Sequence, residues 1–320
     1  MDVNFSMLKS REWVTLAACM VALVMLTVAV YALPEADSPQ MGVTPGVTVP
    51  RVPEETTPPA TQPEVSPSEP VQKPANVGAV LQSGLSQMPQ PTTLELNTLK
   101  RKDFKKVNGY ITCNAEEYWL GIDVSFWQEE IDWEKVAASG VQFAMIRMAY
   151  RGWSKDAELQ MDVMGEHNLQ GAMAAGIKVG VYIYSQATNV QEAVEEAQFL
   201  LKLLDGRDLD MPVVFDWEVP VGVNARTEKV KAKTIHACAL AFCAEIKAAG
   251  YQPMVYFNQW QGMAKYNLAE LREAGIELWL AMYSKAMTYD YKVQMWQYTS
   301  KGRVPGIDGR VDIDLYFPNH

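Results

Sequence analysis

The pattern of apolar and polar positions divides the chain into three parts. Residues 13–33 form an uncharged, largely apolar run of 21 residues, which is long enough to cross a lipid bilayer. Residues 34–92 show no apolar periodicity. From residue 118 onward, short runs rich in β-branched and aromatic residues alternate with segments that have apolar residues at helical spacing. This pattern predicts a membrane anchor, an unstructured connection and one folded domain.

The charges around residues 13–33 predict the orientation of the anchor. Lys9 and Arg11 precede the run, whereas Glu35 and Asp37 follow it. Because basic residues stay on the cytoplasmic side, residues 1–12 are predicted to form a short cytoplasmic tail with the rest of the chain outside. The expected location is the cell membrane, as a single-pass protein with an extracellular domain. Cleavage after Ala32 is the alternative, and it would make the protein secreted.

The composition of the next segment predicts a stalk. Residues 34–92 contain 13 of the 18 prolines, mixed with Ser, Thr, Val, Gln and Glu. Such a stretch buries too little apolar surface to fold. We therefore predict that residues 34–117 form a disordered stalk and linker.

Residues 118–320 are predicted to form an α/β domain. Alternating strands and helices imply parallel strands with crossover helices. Eight strands in about 200 residues favour an irregular, TIM-like (β/α) barrel with few helices in its last third. The predicted strands are 120–125, 143–149, 178–185, 212–218, 253–258, 277–283, 293–299 and 311–316. The predicted helices are 131–138, 158–175, 190–204 and 227–249.

Charge and composition exclude several classes of function. The chain has a formal net charge of −10, and from residue 111 onward it has 19 Lys and Arg against 28 Asp and Glu. This excess of acidic groups repels phosphates, so no nucleic-acid partner is expected. Cys113, Cys238 and Cys243 cannot all pair with one another, and no CxxC or His cluster indicates a metal site. We expect a monomer without cofactor.

The predicted strand 212–218 ends in two acids, Asp216 and Glu218. Side chains in a strand alternate between faces, so these two point the same way and Trp217 points the other way. Two carboxyl groups this close do not both ionise readily, and one should keep its proton near neutral pH. A neutral acid beside a carboxylate is the pair that glycoside cleavage requires. Taken alone, the same pair is also compatible with two acids that face water at the edge of a sheet.

Polar side chains near the ends of the other strands strengthen the first interpretation. In a barrel the carboxyl ends of parallel strands converge on one mouth, where active sites lie. No histidine has a position that suggests a catalytic triad, which leaves carboxylates as the catalytic groups. Aromatic residues near the same ends, such as Trp127, Trp279, Tyr283, Trp296 and Tyr298, suit the apolar faces of sugars. The strand-end polar residues are Asp123, Ser125, Arg147, Tyr182, Tyr184, Asp216, Glu218, Tyr256, Asn258, Tyr283, Gln297, Asp312 and Asp314.

Over residues 118–320, the ordered series of motifs resembles the family 25 glycoside hydrolases, which are muramidases (lysozymes). A lone Asp-x-Glu pair would be weak evidence, but the full series is specific. It comprises Gly121-Ile122-Asp123-Val124-Ser125 with Trp127-Gln128; Arg147; Asp162 and Asn168 before Ala172 and Gly176; Gly180-Val181-Tyr182-Ile183-Tyr184-Ser185; Asp216-x-Glu218; Trp279-Leu280-Ala281-x-Tyr283; Trp296-Gln297-Tyr298-Thr299; and Gly306-Ile307-x-Gly309-x-Val311-Asp312.

The resemblance implies hydrolysis of the β-1,4 bond after N-acetylmuramic acid in peptidoglycan. By position, Glu218 corresponds to the general acid, and Asp216 corresponds to a partner that stabilises the reacting centre or assists the N-acetyl group. Asp123 and Asp312 match further site carboxylates. The chain departs from the family pattern at Ile183, where His is frequent, and at Trp217 and Asp314. The residues expected to contact substrate are Arg147, Tyr182, Tyr184, Trp279, Tyr283, Trp296 and Gln297.

Two other interpretations remain open at this point. A chitinase-like or glucosaminidase activity also fits an Asp-x-Glu pair at the end of a barrel strand, although Val214 and Pro212 stand where chitinases carry further acids. A non-catalytic peptidoglycan-binding module could keep the sugar groove. Loss of catalysis normally removes a carboxylate, and all four candidate carboxylates are present.

Overall fold

The computed structural model describes residues 94–155, 157–220 and 223–320. The predicted anchor (13–33) and most of the predicted stalk lie outside the described residues. Within the described part of the chain, no helix is long and apolar enough to span a membrane.

Eight strands close into a barrel. Their order around the barrel is β3-β4-β6-β7-β8-β9-β10-β11, and β11 pairs back onto β3. Neighbours from β3 to β10 run parallel, whereas β11 runs antiparallel to both of its neighbours. The strands are β1 (Phe104–Val107), β2 (Tyr110–Cys113), β3 (Trp119–Val124), β4 (Phe143–Arg151), β5 (Leu159–Met161), β6 (Lys178–Ser185), β7 (Val213–Trp217), β8 (Pro253–Asn258), β9 (Glu277–Ala281), β10 (Met295–Gly302) and β11 (Val311–Tyr316).

Helices cover only part of the barrel. The first four described helices connect β3 to β4, β4 to β6, β6 to β7 and β7 to β8, and two short helices lie between β8 and β9. In the described part of the chain no helix follows β9, which confirms the expected scarcity of helices in the last third. The helices are α1 (Trp133–Ala138), α2 (Gly165–Ala174), α3 (Val190–Leu204), α4 (Ala232–Ala248), α5 (Gln259–Ala264) and α6 (Leu268–Glu273).

Some predicted boundaries were wrong. The helix predicted over 158–175 begins only at Gly165, because β5 occupies the start of that segment and pairs antiparallel with the end of β4. The helix predicted over 227–249 begins at Ala232. The short helices α5 and α6 were not predicted, since six residues give too little periodicity to recognise.

Alternation along the strands produces two apolar layers. Inward-facing residues such as Phe143, Val214 and Met254 fill the barrel interior. Outward-facing residues such as Ile183 and Phe215 pack in the layer that surrounds the barrel. The side on which each residue falls follows from the two-residue period of a strand.

An N-terminal hairpin, β1 and β2, covers the side of the barrel that helices leave bare. Phe104 of β1 packs edge-on against Trp296 of β10, with ring centroids 5.2 Å apart. The Ile111 amide donates to the Tyr298 hydroxyl at 3.3 Å. Upstream, the Asn97 side chain donates to the Tyr289 carbonyl at 2.9 Å. The prediction of a disordered linker up to residue 117 is therefore wrong for residues 94–117. Part of this segment forms β1 and β2, which pack on the outer face of β10.

Candidate active site

The carboxyl ends of the parallel strands surround a cavity of about 250 Å³. The antiparallel strand β11 contributes to the same end through its first residues, so Asp312 lies at the mouth although it begins a strand. A larger cavity of about 610 Å³ lies at the opposite end of the barrel, away from the carboxylate pair, and is lined in part by Asp210, Pro212 and Gln252. The smaller cavity is lined by Asp123, Tyr182, Asp216, Glu218, Tyr256, Trp279, Tyr283, Gln297, Ser300 and Asp312.

Strand β7 presents Asp216 and Glu218 to the cavity and holds Trp217 on its outer side. The Trp217 indole is fully buried and donates through Nε1 to the Ala187 carbonyl at 2.8 Å. The carbonyl of Trp217 accepts from Gln261 Nε2 at 3.0 Å, and that of Glu218 accepts from Gln186 Nε2 at 2.7 Å. These bonds fix the backbone on which the two acids stand, as the alternation in the sequence predicted.

Burial raises the pKa of both members of the pair. The pKa of Asp216 lies well above its ordinary value because of burial, the nearby charge of Glu218 and that of Asp123, while Arg147 opposes the rise. Burial also raises the pKa of Glu218, and the Tyr256 hydroxyl opposes it. Glu218 disfavours the ionisation of Asp216, so the two carboxyl groups do not both ionise readily.

A hydrogen-bond network organised by Gln297 positions Asp123. Gln297 Nε2 donates to Asp123 Oδ2 at 2.7 Å. The side-chain oxygen Oε1 of Gln297 accepts from the hydroxyls of Tyr256 at 3.0 Å and Tyr283 at 3.1 Å. Burial and the adjacent Asp314 raise the pKa of Asp123 well above its ordinary value. The bond from Gln297 holds the Asp123 carboxyl group in place, and its raised pKa favours the protonated form of Asp123.

Asp314 lies buried beneath the cavity. Its side chain is fully buried, and Trp279 Nε1 donates to Oδ1 at 2.9 Å. Burial and the charge of Asp312 raise its pKa well above the ordinary value. Burial, Asp123 and Glu218 likewise raise the pKa of Asp312, to about 8. Five carboxyl groups thus crowd this end of the barrel.

The predicted substrate contacts separate into those that line the cavity and those that do not. Tyr182, Trp279, Tyr283 and Gln297 line it. Tyr184 stands opposite Asp216 in the register of β6 and β7, and burial and the charges of Glu218 and Asp216 raise the pKa of its hydroxyl. Tyr184 is therefore close to the pair although it is not one of the lining residues.

Arg147 and Trp296, which were predicted to contact substrate, do not line the cavity. Arg147 is buried, donates through Nε to Asp162 at 2.7 Å and stacks over the Phe126 ring at 5.0 Å. Its positive charge opposes the rise in the pKa of Asp216. Trp296 is fully buried in the outer layer and donates to the Met282 carbonyl at 2.8 Å. The prediction that Trp296 contacts substrate is corrected, because Gln297 faces the cavity and its neighbour must face away.

Residues that line the cavity without having been selected from the sequence are Tyr256 and Ser300. Tyr256 was visible as a polar strand end, and its partner Gln297 explains its place in the site. Ser300 lies near the end of β10, beyond a register irregularity that interrupts the two-residue period. No sequence signal indicated that Ser300 would face the cavity.

A (β/α)-type barrel with two adjacent acids at its mouth is an arrangement that glycoside hydrolases use. The sequence pattern of the glycosyl hydrolases family 25 matches residues 122–307. The chain therefore belongs to glycosyl hydrolase family 25, as the motifs had suggested.

Several named proteins are similar in sequence. The uncharacterized protein YegX of Escherichia coli (strain K12) is 29% identical over 206 residues, which cover 61% of this chain and 68% of YegX. The autolytic lysozyme of Clostridium acetobutylicum is 27% identical over 197 residues, covering 61% of this chain and 55% of the lysozyme. Lysozyme M1 of Streptomyces globisporus is 27% identical over 206 residues, covering 60% of this chain and 65% of that protein.

Solved structures share the fold. The modular autolysin LytC of Streptococcus pneumoniae, in complex with a synthetic peptidoglycan ligand, has a TM-score of 0.55 at 24% identity. The comparison covers 67% of this chain and only 52% of LytC, so the chain spans about half of that protein. The bacterial lysozyme of Streptomyces coelicolor has a TM-score of 0.50 at 22% identity, over 63% of this chain and 93% of the lysozyme.

Proposed function

We propose that this protein cleaves the β-1,4 bond between N-acetylmuramic acid and N-acetylglucosamine in peptidoglycan. The observation that carries the proposal is the Asp216 and Glu218 pair, which faces one cavity and in which burial raises the pKa of both carboxyl groups. Membership in family 25 and the similarity to two proteins named lysozymes support the same substrate class.

Glu218 acts as the general acid in this proposal. Its side chain is only partly buried, so it can reach the glycosidic oxygen of a bound glycan. Burial raises the pKa of Glu218 and so favours the protonated form, as an acid that protonates a leaving group requires. Donation of this proton to the bridging oxygen allows the bond to the anomeric carbon to break.

Asp216 acts on the positive charge that develops at the anomeric carbon. It is more deeply buried than Glu218, and its Oδ1 has no hydrogen-bond partner among the described residues. A carboxylate oxygen without a partner can face the reacting carbon or orient the N-acetyl group of the substrate. Arg147 favours the ionised form that both roles require.

The decisive experiment identifies the sugar at the newly formed chain end. Purified cell walls are digested with the protein, the new reducing ends are reduced with borohydride, and the sugar alcohol is identified. Muramitol is the expected product. Glucosaminitol would instead assign a glucosaminidase, and retained wall binding without new reducing ends would assign a binding module.

Glu218→Gln is the matched control for this digestion. It preserves the size of the side chain but removes the transferable proton, so the rate should fall by roughly 10²- to 10⁴-fold. Retained activity in the Glu218→Gln protein would contradict the assignment of the acid, or would reveal a contaminating hydrolase.

We also propose that residues 13–33 anchor the protein in the cytoplasmic membrane with the catalytic domain outside. The apolar run and the basic residues before it support this orientation. A proline-rich connection of about 60 residues could extend to roughly 180 Å at about 3.1 Å per residue. A tethered, monomeric domain could thus reach glycan strands within a thick wall.

A further inference from the structure

We infer that the glycan strand crosses the barrel mouth from β4 to β9, with Trp153 as a sugar-binding platform at one end and Tyr283 at the other. The inference rests on the proposed function, because it takes peptidoglycan glycan as the polymer. It adds a binding site at Trp153, outside the catalytic cavity, and a direction for the strand.

The order of the strands supplies the geometry. In a closed barrel of eight strands, strands four places apart lie on opposite sides. By this rule β7, which presents Asp216 and Glu218, lies opposite β11, which presents Asp312. A polymer whose scissile bond lies between these carboxyl groups must enter and leave at right angles to the line that joins them. The perpendicular line joins β4 and β9.

Exposed aromatic residues stand at both ends of that perpendicular line. Trp153 comes two residues after β4 ends at Arg151, and its side chain is 49% exposed. Tyr283 comes two residues after β9 ends at Ala281 and is 60% exposed. Single exposed aromatic residues are common on protein surfaces, but these two follow strands on opposite sides of the barrel. A flat ring with an apolar face suits the apolar face of a pyranose.

Both aromatic residues are held in place before any ligand binds. The Trp153 carbonyl accepts from the Arg226 amide at 3.1 Å, and the neighbouring Gly152 amide donates to the Glu158 carbonyl at 3.3 Å. The Tyr283 hydroxyl donates to Gln297 at 3.1 Å. The Tyr283 ring, which is held through its hydroxyl, loses little conformational entropy when a sugar stacks on it, and at Trp153 the bonded backbone limits the positions of the ring.

The charges beside Trp153 fit a muramic-acid polymer. Lys155 and Arg226 line a cavity of about 450 Å³ next to this tryptophan. Muramic acid carries a lactyl carboxyl group, either free or joined to a peptide that itself ends in carboxylates. Lys155 at this rim would attract those groups, in contrast to the acidic catalytic cavity, whereas the Arg226 guanidinium is already paired with Glu192.

A second pair of exposed tryptophans provides the alternative path. Trp127 follows β3 and is 72% exposed, and Trp260 follows β8 and is 58% exposed. Strands β3 and β8 are also opposite each other, but a line between them runs over the strand that carries Asp123. A glycan strand on that path would not run at right angles to the line that joins the Asp216 and Glu218 pair to Asp312. Trp260 is therefore a matched control for Trp153.

The test compares Trp153→Ala with Trp260→Ala in the full-length protein, on long glycan strands and on a tetrasaccharide of the same sugars. Loss of one stacking contact should lower kcat/KM on long strands about 2- to 10-fold in Trp153→Ala. Its kcat/KM on the tetrasaccharide should stay within about twofold of wild type. Trp260→Ala should show no dependence on chain length. An equal loss on both substrates in Trp153→Ala, or a length-dependent loss confined to Trp260→Ala, would overturn the inference.

Binding to a Glu218→Gln background separates this inference from the proposed function. The affinity for uncleaved long strands should fall about 2- to 10-fold when Trp153→Ala is added, and the affinity for the tetrasaccharide should not. This binding pattern, together with a protein that produces no reducing ends when Glu218 is intact, would preserve the binding site and reject the proposed activity. Normal cleavage with unchanged binding in Trp153→Ala would reject the binding site alone.

Discussion

Replacing Asp312 with Asn should stabilise the protein at neutral and alkaline pH while it impairs the enzyme. Burial and the charges of Asp123 and Glu218 raise the pKa of Asp312 from 3.8 to about 8. The folded protein therefore binds a proton that the unfolded chain releases, and its stability falls as the pH rises from about 4 to about 8, by at most about 1.4 kcal/mol per pH unit. Above pH 8 the full penalty would reach about 6 kcal/mol.

The expected gain from Asp312→Asn is smaller than that limit. Asp312 is only partly buried, and its unfavourable energy is shared with the two neighbouring acids. We therefore expect a gain of about 2–3 kcal/mol at pH 8.5 and little gain at pH 4.5, where the carboxyl group is protonated in the folded state. Denaturant unfolding at the two pH values measures this difference.

The exposed Asp290 provides the control for this experiment. Its Asn variant should change stability by less than about 0.5 kcal/mol at either pH. An Asp312→Asn gain that is equal at the two pH values would refute the titration argument, because a pH-independent gain indicates better packing rather than removal of a buried charge. No gain at pH 8.5 would show that Asp312 is not destabilising when ionised.

Two further predictions concern the N-terminal part of the chain. Phe104→Ala should lower the free energy of unfolding by about 2–4 kcal/mol, because it empties the contact with Trp296, whereas Val107→Ala on the exposed side of the same hairpin should cost less than about 1 kcal/mol. Equal, small effects in denaturant unfolding would mean that the hairpin contributes nothing to the domain. Protease added to intact cells without their wall should release the domain if residues 13–33 orient it outward, and complete protection would contradict that orientation.

The barrel was predictable because its strands carry strong, local signals. Seven of the eight barrel strands were located within two residues of their ends, and β10 ends three residues later than predicted, since each is a compact β-branched or aromatic run that ends in polar residues. The pair at Asp216 and Glu218 followed from the same two-residue period. The antiparallel direction of β11 was not predicted, although residues 303–310 are too few for the crossover that a parallel pair requires.

The hairpin was missed, although Asn108-Gly109 is a typical two-residue turn, because Lys105 and Lys106 belong to a basic cluster. Strand β1 has the sequence FKKV, and only Phe104 is buried. A strand that contributes one apolar side chain to a core gives almost no pattern, and the basic residues around it resemble a solvated linker. The hairpin packs on the outer face of β10, which is far away in the sequence. The residues around β1 therefore do not indicate this contact.

Trp217 and Trp296 show how the alternation of side chains along a strand determines which residues face the cavity. Trp217 in β7 and Trp296 in β10 both face outward, and each donates its indole N–H at 2.8 Å to a carbonyl just beyond the preceding strand, Ala187 in one case and Met282 in the other. In each strand the anchored ring aims an adjacent polar side chain, such as Gln297, into the cavity. A tryptophan directly beside a cavity-facing polar residue within one strand is therefore a structural anchor. The sugar platforms are expected among aromatic residues that follow a strand, where alternation no longer determines the direction of the side chain.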